Sequence, residues 1–352
     1  MEPLVALEEH YFAASHLLPS HLNSLYSEQF KHVPALEDKL KSLDDLRIID
    51  MQKAGVTFQI ISHAPGISSL AASDCAKVND YLAEKLMPRK DIFGGFAALP
   101  MGDPEAAATE LRRVVETYGF LGALIDNHIP VPLEHMTGDL SQRSSALGAT
   151  YYDSSNFHPV WKAAEELNVP IYIHPNFPTP AMQSHYEGLP SSASRSIATS
   201  GWGWHSECGA HLLRLYAGGV FDAFPKLRII IGHFGEMLPF MLDRVNQLSN
   251  RWGSRARSFQ TVYDENIVIT TSGVWSVAPM HTIKASTRIE NVLFSIDWPF
   301  AHAEWGKAFW DDLRKSGVLT KEELGKIGWR NAAKLFKLNE HDLLRGAQEF
   351  VA

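Results

Sequence analysis

At 352 residues the chain is long for one domain, yet within the range of an α/β barrel. Hydrophobic residues make up 45% and charged residues 20%, as in ordinary globular proteins, and no apolar run nears the roughly 18 residues of a membrane span. A formal net charge of −8 gives no electrostatic reason to expect nucleic acid or an anionic membrane as partner.

The chain begins with no basic region leading into an apolar stretch, so no secretory signal is expected. Its two cysteines, Cys75 and Cys208, lie far apart and suggest a reducing, cytoplasmic compartment rather than a disulfide framework.

The first short apolar run is VALEEH (5–10), followed by a long polar segment over 12–45. TFQIISHA (57–64) and DIFGGFAAL (91–99) are the next runs, with a helical pattern, NDYLAEKLM (79–87), between them. In DPEAAATELRRVVETYG (103–119), Asp103 reads as a cap, Pro104 as the first helical position and Gly119 as a stop. GALID (122–126) leads into a second long polar segment, roughly 127–155. A helix, HPVWKAAEELN (158–168), then precedes VPIYIHP (169–175), and a third loop, 176–205, contains NFPTP and GLPSSASRS. LRIIIGHFG (227–235), a helix over 236–248, NIVITTSG (266–273) and NVLFSIDWP (291–299) complete the alternation. The last helical pattern, KEELGKIGWRNAAKLFKL (321–338), has no strand after it.

Several of these runs are almost continuous in Val, Ile, Leu and Phe, as strands buried on both faces are. Eight of them alternating with helices predict a (β/α)8 barrel with long active-site loops and a C-terminal helical extension, one domain over 1–352. A doubly wound open sheet fits less well, because no Gly-rich nucleotide loop follows the first strand.

Charge collects where the apolar runs stop. Side chains alternate along a strand, so if Ala6 points into the barrel, Glu8 and His10 do too, and Glu9 points away. His174 ends the fifth run, His233 the sixth and Asp297 the eighth. A buried Asp after an apolar run is costly unless it is paired or binds a cation. Glu8, His10, His174 and Asp297 are therefore expected to hold one divalent ion with a position left open. Mixed nitrogen and oxygen ligands suit zinc or manganese, and magnesium also fits. Glu236 opens a predicted helix and is placed to orient His233. Arg244, two turns further on, either pairs with Glu236 or is a surface charge. Trp298, Phe300, Trp202 and Trp204 either wall the pocket or belong to the core, and His63 in SHAPG is a candidate substrate contact.

Together VALEEH, YIHP, IIGHFGE, SIDWPF and GWRNAAKLF resemble the metal-dependent aromatic decarboxylases of the amidohydrolase superfamily, the group related to aminocarboxymuconate semialdehyde decarboxylase. The γ-resorcylate, 2,3-dihydroxybenzoate and salicylate decarboxylases share the VALEE-like opening, and Glu-x-His on the first strand, rather than His-x-His, points to that branch. The resemblance implies metal ligands at Glu8, His10, His174 and Asp297, a supporting pair at His233 and Glu236, and a partner arginine at Arg244. It implies reversible, non-oxidative loss of CO2 from a 2-hydroxybenzoate-type acid. Asp297 is the expected proton donor, or else the proton arrives from water or substrate through His233 and Glu236. The alternative is a metal-dependent, lactonase-like hydrolase on the same barrel. Barrels of this kind commonly pair symmetrically, so a homodimer or homotetramer is expected.

Overall fold

The structure is a computed structural model that describes residues 2–131 and 147–349, so part of the expected 127–155 loop, residues 132–146, lies outside the described residues. Eight parallel strands alternate with helices: β1 (Val5–Tyr11), β2 (Phe58–His63), β3 (Phe93–Gly95), β4 (Ala123–Asp126), β5 (Ile171–His174), β6 (Ile229–Ile231), β7 (Ile267–Thr270) and β8 (Val292–Leu293). They pair in chain order, β1 to β3 in one ladder and β4 to β8 in another, with a bridge from Ala97 to Ala123 between them. This is the predicted (β/α)8 barrel.

Its last seam, from β8 back to β1, is closed by few backbone bonds. The His10 N–H donates to Trp298 O at 2.7 Å. Beside it the Glu9 carboxylate fills the place of a ladder. It accepts from the N–H of Ile296 at 3.0 Å, the N–H of Trp298 at 3.3 Å, the Ser295 hydroxyl at 3.2 Å and the Gln59 amide at 3.4 Å. Burial pushes the Glu9 carboxyl up to about 8, against the pull of the Ile296 N–H and the Arg47 guanidinium.

Val5, Leu7, Phe58, Ile60, Leu124, Tyr172, Ile230, Val268 and Leu293 fill the barrel interior, with Trp329 and Phe336 of the C-terminal extension packed against them. Ala6, Ile61, Ile125, Ile173, Ile231 and Ile269 face the surrounding helices. Both faces are buried, which explains the uninterrupted apolar runs. Each such Val, Leu, Ile or Phe side chain contributes about 1.5–3 kcal/mol relative to an exposed one.

The interior set corrects one premise of the sequence reading: Val5 and Leu7 point inward, not Ala6. Glu8 and His10 still reach the centre because a bulge at Glu8 shifts the register, so that Leu7 pairs with Ile60 and Glu9 with the next residue, Ile61. Glu8 takes φ +68° to make that shift.

The helices follow their signals closely. In α3 (Pro104–Tyr118) the Asp103 side chain accepts the Ala106 N–H, and Gly119 closes the helix at φ +73°. Flanking α1 (Asp45–Ala54), α2 (Ala72–Leu86), α4 (His158–Leu167) and α5 (Gly203–Ala217) cover the barrel. The 12–45 segment is not an irregular loop; it carries three short helices, Ser20–Leu25, Ser27–His32 and Leu36–Lys41. Likewise the 176–205 segment carries Pro180–Gln183 and Ser191–Ala198. Glu236 does not open the following helix as expected. It ends a kinked turn with left-handed backbone, φ +50°, and α6 (Leu238–Ser249) starts beyond it.

Candidate metal centre

At the C-terminal mouth of the barrel, β1, β5 and the segment after β8 bring Glu8, His10, His174 and Asp297 together. One donor atom from each lies within 4.8 Å of all the others. His10 Nε2 is 3.4 Å from Asp297 Oδ1, and His174 Nε2 is 3.3 Å from Glu8 Oε1. Two atoms that share an ion at about 2.0–2.2 Å each stand this far apart.

The imidazoles are oriented for the task. His174 Nδ1 donates to Pro175 O at 2.8 Å, and His10 Nδ1 faces the Ser62 hydroxyl at 3.3 Å. Each ring therefore turns Nε2 toward the centre. Glu8 Oε1, His10 Nε2 and Asp297 Oδ1 are buried with no hydrogen-bond partner among the described residues. Such atoms cost about 1–3 kcal/mol each, more when charged. A divalent cation satisfies all three at once, so the residues fit the expected ion.

The other Glu8 oxygen, Oε2, accepts from the hydroxyls of Tyr172, Ser272 and Thr270. Burial alone would raise its pKa, but His233 and His174 outweigh burial and hold it well below the usual carboxylate range. On His174, burial works against charge, yet Glu8 prevails and leaves the pKa above its ordinary value. His10 is pushed the other way, since burial dominates there and favours the neutral ring a metal needs.

His233 and Glu236 meet as expected: His233 Nδ1 donates to Glu236 Oε1 at 2.8 Å. Its Nε2 stands 3.6 Å from Glu8 Oε1 and 3.8 Å from Asp297 Oδ2. Burial disfavours charge on His233, but Glu236 and Glu8 overcome it and raise its pKa well above normal. Glu8, His233, Glu236 and Asp297 all hold φ between 50° and 74°. Non-glycine residues seldom do so, and such backbone persists where the surroundings over-determine it, typically at functional sites.

A cavity of about 380 Å³ opens onto this centre. Tyr26, Phe177, Trp204, Trp275 and Phe300 wall it, with Thr199, Ser200 and His205 on one side. Phe300 takes the pocket-wall position of its two readings, edge-on to His10 with ring centroids 5.5 Å apart. A larger crevice, about 630 Å³, lies elsewhere beside Arg228, Asp264 and Lys337, away from every group just described.

Three expected contacts are corrected. His63 faces the helices rather than the cavity: Nδ1 donates to Ala64 O at 2.7 Å and Nε2 accepts the Ala13 N–H at 3.2 Å. Both nitrogens are consumed by backbone, and burial lowers the ring to about 4. Trp298 is core. Its ring lies 4.2 Å from the Arg47 guanidinium and its N–H donates to Asp50 at 3.1 Å. Arg244 is exposed on α6 and does not pair with Glu236, because the kink before α6 separates the two. Instead Glu236 Oε2 accepts from His205 Nδ1 at 2.8 Å. Sequence reasoning missed His205, Tyr26 and Trp275. It also passed over Thr270, which ends β7, and Ser272 two residues on, whose shared face was readable from strand alternation. Trp202, half-exposed, lies outside the cavity lining, whereas Trp204 is in it.

The amidohydrolase family pattern matches residues 24–338. The chain belongs to the amidohydrolase family. Within it, this amidohydrolase is 40% identical over 343 residues to decarboxylase orsB of Emericella nidulans, covering 96% of this chain and 98% of that protein. It is 33% identical over 356 residues to the γ-resorcylate decarboxylase of Polaromonas sp. strain JS666, covering 96% and 100%. A dihydroxybenzoic acid decarboxylase from Polaromonas sp. JS666, solved with manganese and the inhibitor 2-nitroresorcinol, superposes with a TM-score of 0.81 at 32% identity, covering 96% and 98%.

Proposed function

We propose that this amidohydrolase is a metal-dependent carboxy-lyase that removes CO2, reversibly and without oxidation, from a 2-hydroxybenzoate-type acid. The observation that carries the reading is the convergence of three buried atoms without a hydrogen-bond partner among the described residues, Glu8 Oε1, His10 Nε2 and Asp297 Oδ1, where Asp297 lines an aromatic-walled cavity. Relatives across nearly the whole chain are decarboxylases of hydroxylated aromatic acids, which favours this reading over a lactonase.

Glu8, His10, His174 and Asp297 would hold one divalent ion, manganese by likeness to the relative, with zinc or magnesium as other fits. When bound, it supplies a Lewis acid that neutralises the substrate carboxylate and favours the phenolate of the ortho hydroxyl. The ring then lies among Tyr26, Phe177 and Phe300, which orient it and exclude water. The carboxyl-bearing carbon gains a proton, its bond to the carboxyl carbon breaks, that electron pair restores aromaticity, and CO2 departs. Asp297 lines the cavity, and in this reading it delivers the proton. His233 Nε2 stands 3.8 Å from Asp297 Oδ2 and in this scheme resupplies it, with Glu236 bonded to the ring from behind. Trp298, Arg244 and His63 take no substrate-binding role in this scheme.

The whole chain reads as one barrel domain, cytoplasmic and assembled as a homodimer or homotetramer around a small-acid substrate. Two buried unpaired cysteines support the reducing compartment, and no helix among the described residues is long and apolar enough to cross a membrane. The test is an assay of CO2 release from 2,6-dihydroxybenzoate and related 2-hydroxybenzoates by manganese-loaded and chelated protein. Ring-opened acid from a lactone, with no CO2, would replace this reading with the hydrolase.

A further inference from the structure

His205 ends no strand and lies outside the four-ligand cluster, yet it is bonded into the centre from behind. It stands third in α5 and lines the same cavity as His174, His233 and Asp297. Nδ1 donates to Glu236 Oε2 at 2.8 Å and Nε2 to Ser200 O at 3.0 Å. The other Glu236 oxygen accepts from His233, and the two imidazoles lie 4.6 Å apart between centroids. One carboxylate, 1% exposed, is thus gripped by two rings.

We propose that His205 is a positioning residue: it fixes the Glu236 carboxylate, and through it the aim of His233, and ties both to the cavity wall at Ser200. The chain supports this placement. A Cβ at Gly203 would meet Ala198 O at 2.3 Å, so the turn that feeds α5 closes tightly and delivers His205 two residues later. A glutamate side chain has three rotatable bonds, and a single bond to His233 would leave its carboxylate free to turn about that contact. The second bond removes that freedom. A packing role accounts poorly for the residue, because its side chain is 20% exposed and both its polar atoms are spent on the active-site side. The effect on turnover rests on the role given to His233 above; the effect on the His233 ring does not.

Two substitutions in the full-length, metal-loaded protein separate the outcomes. Asn places an amide donor where Nδ1 stands and can keep the bond to Glu236. Gln places its donor where Nε2 stands and keeps only the bond to Ser200. His205→Gln should lower kcat by about 10- to 100-fold with KM changed by about threefold or less, and His205→Asn should recover most of that loss. A second readout needs no turnover. In zinc-loaded protein, nitrogen–proton correlation spectra should show the His233 Nδ1–H in wild type and His205→Asn, and lose it in His205→Gln. Equal kcat losses in both variants, a loss confined to KM, or a His233 signal intact in His205→Gln would overturn the proposal. A wild type that shows the signal but releases no CO2 from any 2-hydroxybenzoate would overturn the assigned reaction and leave the positioning role standing.

Discussion

Glu8 Oε1 stands 3.3 Å from His174 Nε2, and no group among the described residues donates a hydrogen bond to it. One strand begins the barrel and the other lies halfway round it, so this meeting is a product of closure rather than of chain proximity. A cation between them relieves the orphaned oxygen and should stabilise the whole barrel. Free manganese at about 100 times its dissociation constant should add about 2.7 kcal/mol to unfolding. Thermal melts of chelated and reloaded protein measure it. Identical midpoints would count against a bound ion.

In the proposed scheme Asp297 serves both the ion and the reacting carbon, so its charge and its proton both matter. Asp297→Asn keeps the shape, removes the charge and cannot give up a proton. Turnover should fall by about 100-fold or more. Steady-state CO2 release from 2,6-dihydroxybenzoate checks this, with metal content measured alongside. Near-normal kcat would remove Asp297 from the mechanism.

Much of this centre was legible because barrel geometry turns strand order into spatial order. Apolar runs ending in His174, His233 and Asp297 could only converge at one mouth. The candidate ligand cluster was therefore expected from pattern alone. The illegible parts have local causes. The bulge at Glu8 shifts register without any glycine to announce it, so the inward face was assigned through the wrong neighbour, Ala6. His63 looked like a mouth residue, but strand alternation behind Ile60 puts Ser62 inward and His63 among the helices. Trp298 follows Asp297 directly and faces the opposite way. Arg244 was paired through an assumed continuous helix, which the left-handed turn at Glu236 and Met237 breaks. His205 carries no strand-end signal at all; its role depends on how a polar loop folds back over the mouth.

Protons compete with the ion, and the direction of each ligand's shift sets where. Glu8 is held low, so it stays ionised until the medium is strongly acidic. His10 is held low and stays neutral. His174 is raised, so it is the first ligand to take a proton as pH falls. A protonated Nε2 cannot ligate, and metal affinity should fall on acidification through the histidine range, with about one proton taken up per ion released. Manganese retained after dialysis at a series of pH values tests this. Loss only below about pH 4, where carboxylates protonate, would point away from His174.

Glu9 points away from the centre, yet it joins the first strand to the last. Glu9→Leu would leave the N–H groups of Ile296 and Trp298 buried without acceptors, whatever the protonation state of the native carboxyl. Two stranded donors should lower stability by about 2–6 kcal/mol. Urea unfolding measures the change. A variant as stable as wild type would show that water or a shifted backbone closes the seam instead.

Gly232 follows β6 and lies under the Glu8 carboxylate. A Cβ there would sit 2.8 Å from Tyr172 Oη, 2.9 Å from Glu8 Oε2 and 3.0 Å from Glu8 Oε1. Its φ of −79° is open to any residue, so alanine brings no backbone strain and acts by contact alone. Two of the three contacts are to the Glu8 carboxylate, so the added methyl displaces that group from its present position. Gly232→Ala should therefore fold, lower manganese affinity by about 10- to 100-fold and reduce activity at limiting metal, with partial recovery at high metal. Titration of manganese by its electron paramagnetic resonance gives the affinity directly. Wild-type affinity in this variant would mean that the Glu8 carboxylate has room the present geometry denies it.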